Sequence, residues 1–165
     1  MAFDTYLKIE GVEGEASAKG MEKQIEIYSF SWGASNPVSV ASSGGKGLSA
    51  GRVSISSFNI MKKADKASTQ LFQACATGKN FTKATVIMRK AGGEGGQAPF
   101  LQYDFDTIMV ESIQWSGSSG GDDTPTESVS LAFAKVAITY NTVDAKGSPT
   151  KAGQAAWDLA TVSAK

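Results

Sequence analysis

The chain has no histidine and a single cysteine, Cys75, among its 165 residues. Without histidine there is no Ser-His or Cys-His nucleophilic pair, no imidazole proton shuttle at neutral pH and no imidazole metal ligand. One thiol allows neither an intramolecular disulfide nor a thiolate zinc site. Proline is scarce, at 4 residues, so long segments run without a breaker. No apolar stretch approaches the roughly 18 residues that span a bilayer. Excess charge is also missing: 16 basic side chains balance 16 acidic ones, and no basic cluster points to nucleic acid or an anionic membrane. Met1 to Thr5 lack the basic start and apolar run of a secretory signal. The expectation is a chain made soluble in the cytoplasm that, if exported, leaves without a cleaved leader.

What is present is alternation. Phe3, Thr5, Leu7 and Ile9 share one strand face. Further strands are predicted over Lys23–Asn36, Arg52–Lys62, Phe81–Arg89, Phe100–Trp115 and Glu127–Tyr140. In the last of the Phe100–Trp115 set, Leu101, Tyr103, Phe105, Met109, Ile113 and Trp115 are placed on one face. Three strands change apolar face midway: after Ile27, after Ile55, and between Phe133 and Val136. Either β-bulges shift the register there, or a neighbouring subunit buries the second face. Glycine is plentiful, at 18 residues. It marks a loop over Gly11–Gly20, a hairpin tip at Gly92–Gly96 and a turn at Gly117–Asp123.

One segment departs from period 2. Around residues 65–78, Leu71, Phe72 and Cys75 form a helical face widened by Ala67 and Ala74. Ser68, or Asp65 one turn earlier, is the candidate N-cap, and Gly78 the left-handed stop. Cys75 on that face reads as a buried structural thiol. The fold class expected is mainly β: a compact antiparallel β-barrel of two packed sheets, one flanking helix, and a long extended loop at 36–51. A length of 165 residues suits one domain over 1–165, able to bury roughly 70% of its unfolded surface. Residues 142–165 read as a C-terminal tail with Trp157 and Leu159 as its large anchors.

The chemistry-bearing candidates are few. Asp104 and Asp106 share a strand face, where one carboxyl could have a raised pKa; the plain reading is a solvated outer face. Gly45-Lys46-Gly47 lacks the Ser or Thr and the helix of a phosphate loop, and Gly93-x-Gly95-x-x-Ala98 leads into a strand rather than a helix. Trp32 and Trp115 fall in phase with core positions, against a role as stacking platforms. No metal, cofactor or catalytic residue is assigned, and the chain is not expected to be an enzyme. The loop at 36–51 carries Val38, Val40 and Leu48, from which a solvated loop gains nothing. They are the candidate subunit interface.

Asp4 to Glu15 (DTYLKIEGVEGE), Ile25 to Gly33 (IEIYSFSWG) with Ser35-Asn36, Asp65 to Ser68 with Leu71-Phe72, Gly78-Lys79, Glu127 to Val136 (ESVSLAFAKV) ending at Tyr140, and Trp157-Asp158-Leu159 together resemble the haemolysin-coregulated protein (Hcp) family of type VI secretion. Many relatives carry a histidine before the second strand, where this chain has Gly20-Met21-Glu22-Lys23. The resemblance implies a structural β-barrel that forms hexameric rings. The rings stack into an inner tube, wrapped by a contractile sheath, capped by a spike protein and expelled on contraction. Small effectors can ride in the lumen. The alternative reading is a monomeric carbohydrate-binding β-barrel.

Overall fold

The computed structural model of the chain describes residues 3–40, 47–90, 97–121 and 123–164. The hairpin tip expected at Gly92–Gly96 lies outside the described residues, as do Gly45 and Lys46. The architecture is mainly β. β1 (Phe3–Ile9), β2 (Ile25–Ile27) and β3 (Ser29–Ser31) come first. An arm follows, made of β4 (Ala34–Ser35), β5 (Val38–Val40), β6 (Leu48–Ala50) and β7 (Ser54–Ile55). Then come β8 (Phe58–Lys63), the helix α1 (Ser68–Thr77), β9 (Asn80–Lys90), β10 (Ala98–Ser116), β11 (Thr126–Val143), β12 (Pro149–Asp158) and β13 (Ser163–Ala164).

All described strand pairs are antiparallel. The nine-stranded sheet runs β13-β12-β11-β10-β9-β1-β2, and β8 joins it by pairing with both β11 and β3. β2 and β3 are separated only by Tyr28, whose N–H donates to the Met61 carbonyl. The run Ile25–Ser31 therefore pairs with β1 in its first half and with β8 in its second.

The changes of apolar face have a common geometry in the three long strands. On β9, Phe81 and Ala84 both point inward; on β10, Phe105 and Ile108; on β11, Phe133 and Val136. These residues are neighbours in register: Ala84 opposite Phe105 opposite Val136, and Phe81 opposite Ile108 opposite Phe133. The inward spacing jumps from two residues to three in the same row across all three strands. Of the three face changes expected, this row holds the one at Phe133/Val136, and no bulge sits there; the register shifts lie between Val110 and Ser112, Pro99 and Leu101, and Tyr140 and Asn141. The twist is made at Thr107, which takes φ 54°, a conformation that costs a non-glycine residue on the order of 1 kcal/mol or more. The Ala134 carbonyl of the same row turns away to accept from the Leu159 N–H. As a result Met109, expected inside, is exposed, and Ile108 and Val110 are buried.

Aromatic rings fill the space that the row encloses. Phe58 and Phe105 are 5.0 Å apart, Phe105 and Phe133 4.6 Å, and Trp32 stands edge-on to Tyr103 at 5.2 Å. Such offset and edge-to-face pairs add about 0.5–1.5 kcal/mol each beyond burial.

The helix is shorter than expected and differently faced. Its buried stripe is Ala67, Leu71 and Ala74, at i, i+4 and i+7, while Phe72 is 53% exposed and Cys75 only half-buried. Ser68 is not the cap. Asp65 Oδ1 accepts the Ala67 N–H, and Ser68 Oγ accepts the Asp65 N–H in return, both at 2.9 Å. Gly78 ends the helix at φ 68°, ψ 30°, as expected.

Beneath the helix start lies a buried ion network. Lys62 and Glu127 are direct cross-strand partners on β8 and β11, both fully buried. Lys62 Nζ donates to Glu127 Oε2 at 2.7 Å, meets Asp65 Oδ1 at 2.8 Å and donates to the Lys63 carbonyl. The second Glu127 oxygen accepts the Trp115 indole N–H at 2.6 Å.

The loop after β1 is tied to the helix by charge. Lys66 Nζ lies 2.9 Å from Glu13, and Lys23 Nζ 3.6 Å from it. The Lys66 hydrogen bond, then the Lys23 charge, hold the Glu13 carboxyl below its usual 4.5.

The expected C-terminal tail is instead part of the sheet. β11 continues to Val143, the Asp144 carboxylate accepts the Lys146 and Ser148 N–H groups, and β12 returns along β11. The first seven residues of β12 are exposed. They carry no alternation because neither face is covered, and the backbone ladder alone defines the strand.

Two tests follow from this packing. Lys62→Met leaves Glu127 buried without its cation and is expected to destabilise the fold by about 3–5 kcal/mol, read as a lowered urea midpoint with an unchanged slope. Glu13 has a depressed folded pKa, so its contribution is present above the usual value and lost as pH falls through the lowered one. Lys66→Ala should move the Glu13 titration, followed by carboxyl-carbon NMR, back up toward 4.5.

Candidate self-association surface

The segment expected to be a long extended loop at 36–51 is, in its described part, a hairpin. β5 and β6 pair Val38 with Ala50, Ser39 with Ser49 and Val40 with Leu48. Cross-strand partners and residues two apart share a face. Val38, Val40, Leu48 and Ala50 therefore line one side, and Ser39 and Ser49 the other, with their hydroxyls 2.6 Å apart. The alternation escaped notice in the sequence because each strand is only three residues long.

The hairpin continues a root formed by β4 and β7, which pair Ala34 with Ile55 and Ser35 with Ser54. Between root and hairpin the returning strand holds one residue more than the outgoing one, which bends the ribbon. Gly51 sits at that bend. Its N–H donates to the Pro37 carbonyl at 2.8 Å, and a Cβ there would lie 2.7 Å from Pro37 Cγ. At the base, the Gly33 N–H donates to Ser56 Oγ and the Ser56 N–H to the Gly33 carbonyl, both at 2.9 Å. Trp32, one residue before, plugs the arm into the aromatic core.

Among the described residues, β4 pairs only with β7 and β5 only with β6. The three sequence-predicted interface residues are the most prominent feature of the arm: Val38 is 58% exposed, Val40 73% and Leu48 74%. Under the arm root, an apolar groove of about 250 Å³ runs between Ala34, Val53 and Ile55 on one side and Ile138, Ala155 and Trp157 on the other. None of the side chains lining it carries a charge or a hydroxyl.

The remaining candidates fall elsewhere. Asp104 accepts from Thr85 Oγ1 at 2.9 Å and from Gln102 Nε2 at 2.8 Å, and Asp106 lies beside it in a cleft with Lys83 and Lys135. These carboxylates face lysines and hydrogen-bond donors rather than a nucleophile. Trp115, expected in the core, is 47% exposed. Its ring lies 5.7 Å from that of Phe72 while its N–H reaches inward to Glu127. Among the described residues, no group of His, Cys, Asp and Glu is placed to hold a metal, and no helix is long and apolar enough to cross a membrane.

A mainly β body carrying an arm with an exposed apolar face has counterparts among type VI secretion proteins. The family model described as "Type VI secretion system effector, Hcp" matches residues 6–140. The chain is 37% identical over 163 residues to Protein hcp1 of Pseudomonas aeruginosa, covering 96% of each. A solved type six secretion system protein shares 34% identity at a TM-score of 0.91, over 99% of this chain and 100% of that one. The crystal structure of Hcp1 from Salmonella typhimurium shares 28% identity at 0.80, over 100% of both chains. The chain belongs to the Hcp family and is a type VI secretion tube protein.

Proposed function

We propose that this chain closes into rings of six around a central channel and that the rings stack into the inner tube. In this reading the run Ile25–Ser31 closes the sheet into a barrel, the rigid body of each subunit. The arm is the connector. The single observation that carries the reading is its apolar face, Val38, Val40 and Leu48, exposed on a hairpin whose strands, among the described residues, pair with each other and with no third strand. Each such side chain is worth about 1.5–3 kcal/mol when fully buried, and the arm holds them off the body of its own subunit. A patch on one surface that fits another surface of an identical copy gives head-to-tail contacts, which close into rings or propagate as filaments. Balanced charge, with 16 basic and 16 acidic side chains, lets identical subunits approach without strong repulsion.

Assembly in the cytoplasm, wrapping by a contractile sheath, capping by a spike protein, carriage of small effectors in the lumen and export on sheath contraction complete the proposal. The family provides the structural role, and no catalytic step is assigned.

Native mass spectrometry and negative-stain electron microscopy test it. The native chain should give a species of six subunits and ring views. A variant with Val38, Val40 and Leu48 all replaced by Ser should lose at least tenfold of its assembled fraction. Its unfolding free energy should stay within about 0.5 kcal/mol per site, as expected for exposed positions. A native chain that stays monomeric and binds glycans would overturn the proposal in favour of a carbohydrate-binding module.

A further inference from the structure

We infer that the apolar groove under the arm root is the seat for the Val38–Val40–Leu48 face of another copy's arm. This rests on the reading of the arm as a self-association element and specifies its receptor. Two surfaces of the chain are apolar and open, and they are opposite in shape. One is a ridge, with Leu48 at 74% exposure its most projecting long side chain. The other is the groove of about 250 Å³ between Ala34, Val53 and Ile55 and the strand residues Ile138, Ala155 and Trp157. A dry apolar cavity of roughly 150 Å³ holds a benzene-sized group, so the groove has room for a leucine-sized side chain with a valine beside it. Neither surface carries a charge, so no ion is stranded when they meet.

The ridge cannot serve its own groove. Val40 and Leu48 stand six residues along a paired ribbon from Ala34 and about as far from Ile55. At about 3.3 Å per residue that is roughly 20 Å from the root. Folding the ridge back would break the ladder that defines the arm. The contact is therefore between copies, and its two sides differ. Each subunit offers a ridge to one neighbour and a groove to the other, so the contact is head-to-tail and either closes into a ring or runs on along the stack. The groove also takes half its lining from the root of the receiving arm. Occupation by one neighbour thus braces the arm that reaches for the next.

A cysteine pair reads this directly. Leu48→Cys and Ala155→Cys are introduced in a Cys75→Ala background, the assembled full-length protein is mildly oxidised, and products are separated without reductant. The expected result is a ladder of covalent multimers that collapses on reduction and is absent from either single-cysteine control. A fast-migrating monomer, the mark of an internal crosslink, overturns the inference, as does assembly by electron microscopy with no ladder. Absence of both ladder and assembly overturns this inference and the tube proposal together. A second variant guards against loss of contact through the cysteine itself: Ala155→Arg places a charge in the groove and leaves the ridge intact. It should reduce assembly at least tenfold with an unchanged circular dichroism spectrum, and undiminished assembly overturns the inference.

Discussion

The ammonium of Lys62 is fully buried, and the placement of the surrounding elements depends on satisfying it. A cation removed from water must find its counter-charges at close range or the fold fails. Here those partners come from Glu127 across the sheet and from Asp65 and Ser68 at the start of the helix, with Trp115 of β10 bound to the far oxygen of Glu127. Four elements thus meet at one charge. Buried ion pairs contribute little net stability against an apolar replacement. Their effect is to exclude alternatives. Sliding β8 by one residue along β11 would turn Lys62 to the other face and leave Glu127 buried alone. The network therefore fixes the register of the short strand that links the arm to the sheet.

The second constraint is the bent row through β9, β10 and β11. Strict alternation along β9, β10 and β11 would turn Phe81, Ile108 and Phe133 away from the face that Ala84, Phe105 and Val136 share. Turning the inward face at Phe81/Ala84, Phe105/Ile108 and Phe133/Val136 together lets one set of strands wrap an aromatic core. Trp32 sits at the rim of that core, between its rings and the arm root. The arm is consequently held at its base by packing, while its described hairpin is held by its own backbone ladder and the Ser39–Ser49 contact. A rigid root with an uncovered apolar end is what an assembling subunit requires. In the proposed assembly a neighbouring copy completes a surface that is already in position, with little ordering cost left to meet on contact.

Much of this was readable in the chain. Alternation located β1, β8, β9, β10 and β11, and the face changes after Ile27, after Ile55 and at Phe133/Val136 were visible as breaks in phase. Val38, Val40 and Leu48 were identifiable because apolar residues in a Ser/Gly-rich segment have no reason to face water. The misreadings share one cause, since pattern is informative only where one face is buried. β12 is uncovered over its first seven residues and carries no periodicity there, and β5 and β6 alternate over only three residues each, so they read as tail and loop. Phe72 and Trp115 were misassigned for the opposite reason. Being large and apolar, they read as core, yet they pack against each other at the surface with their rings tilted by 54° and about half of each exposed.

By itself the sequence determined what chemistry the chain cannot do, where most strands and the helix lie, and which side chains were left seeking cover. Those properties depend on residue type and on local spacing, both of which a linear sequence states outright. Only the tertiary structure decided that Lys62 and Glu127 meet in the interior, that Thr107 twists a row shared by three strands, and that a groove opens beneath the arm. Each of these joins residues distant in sequence, through backbone pairing whose register no single segment specifies.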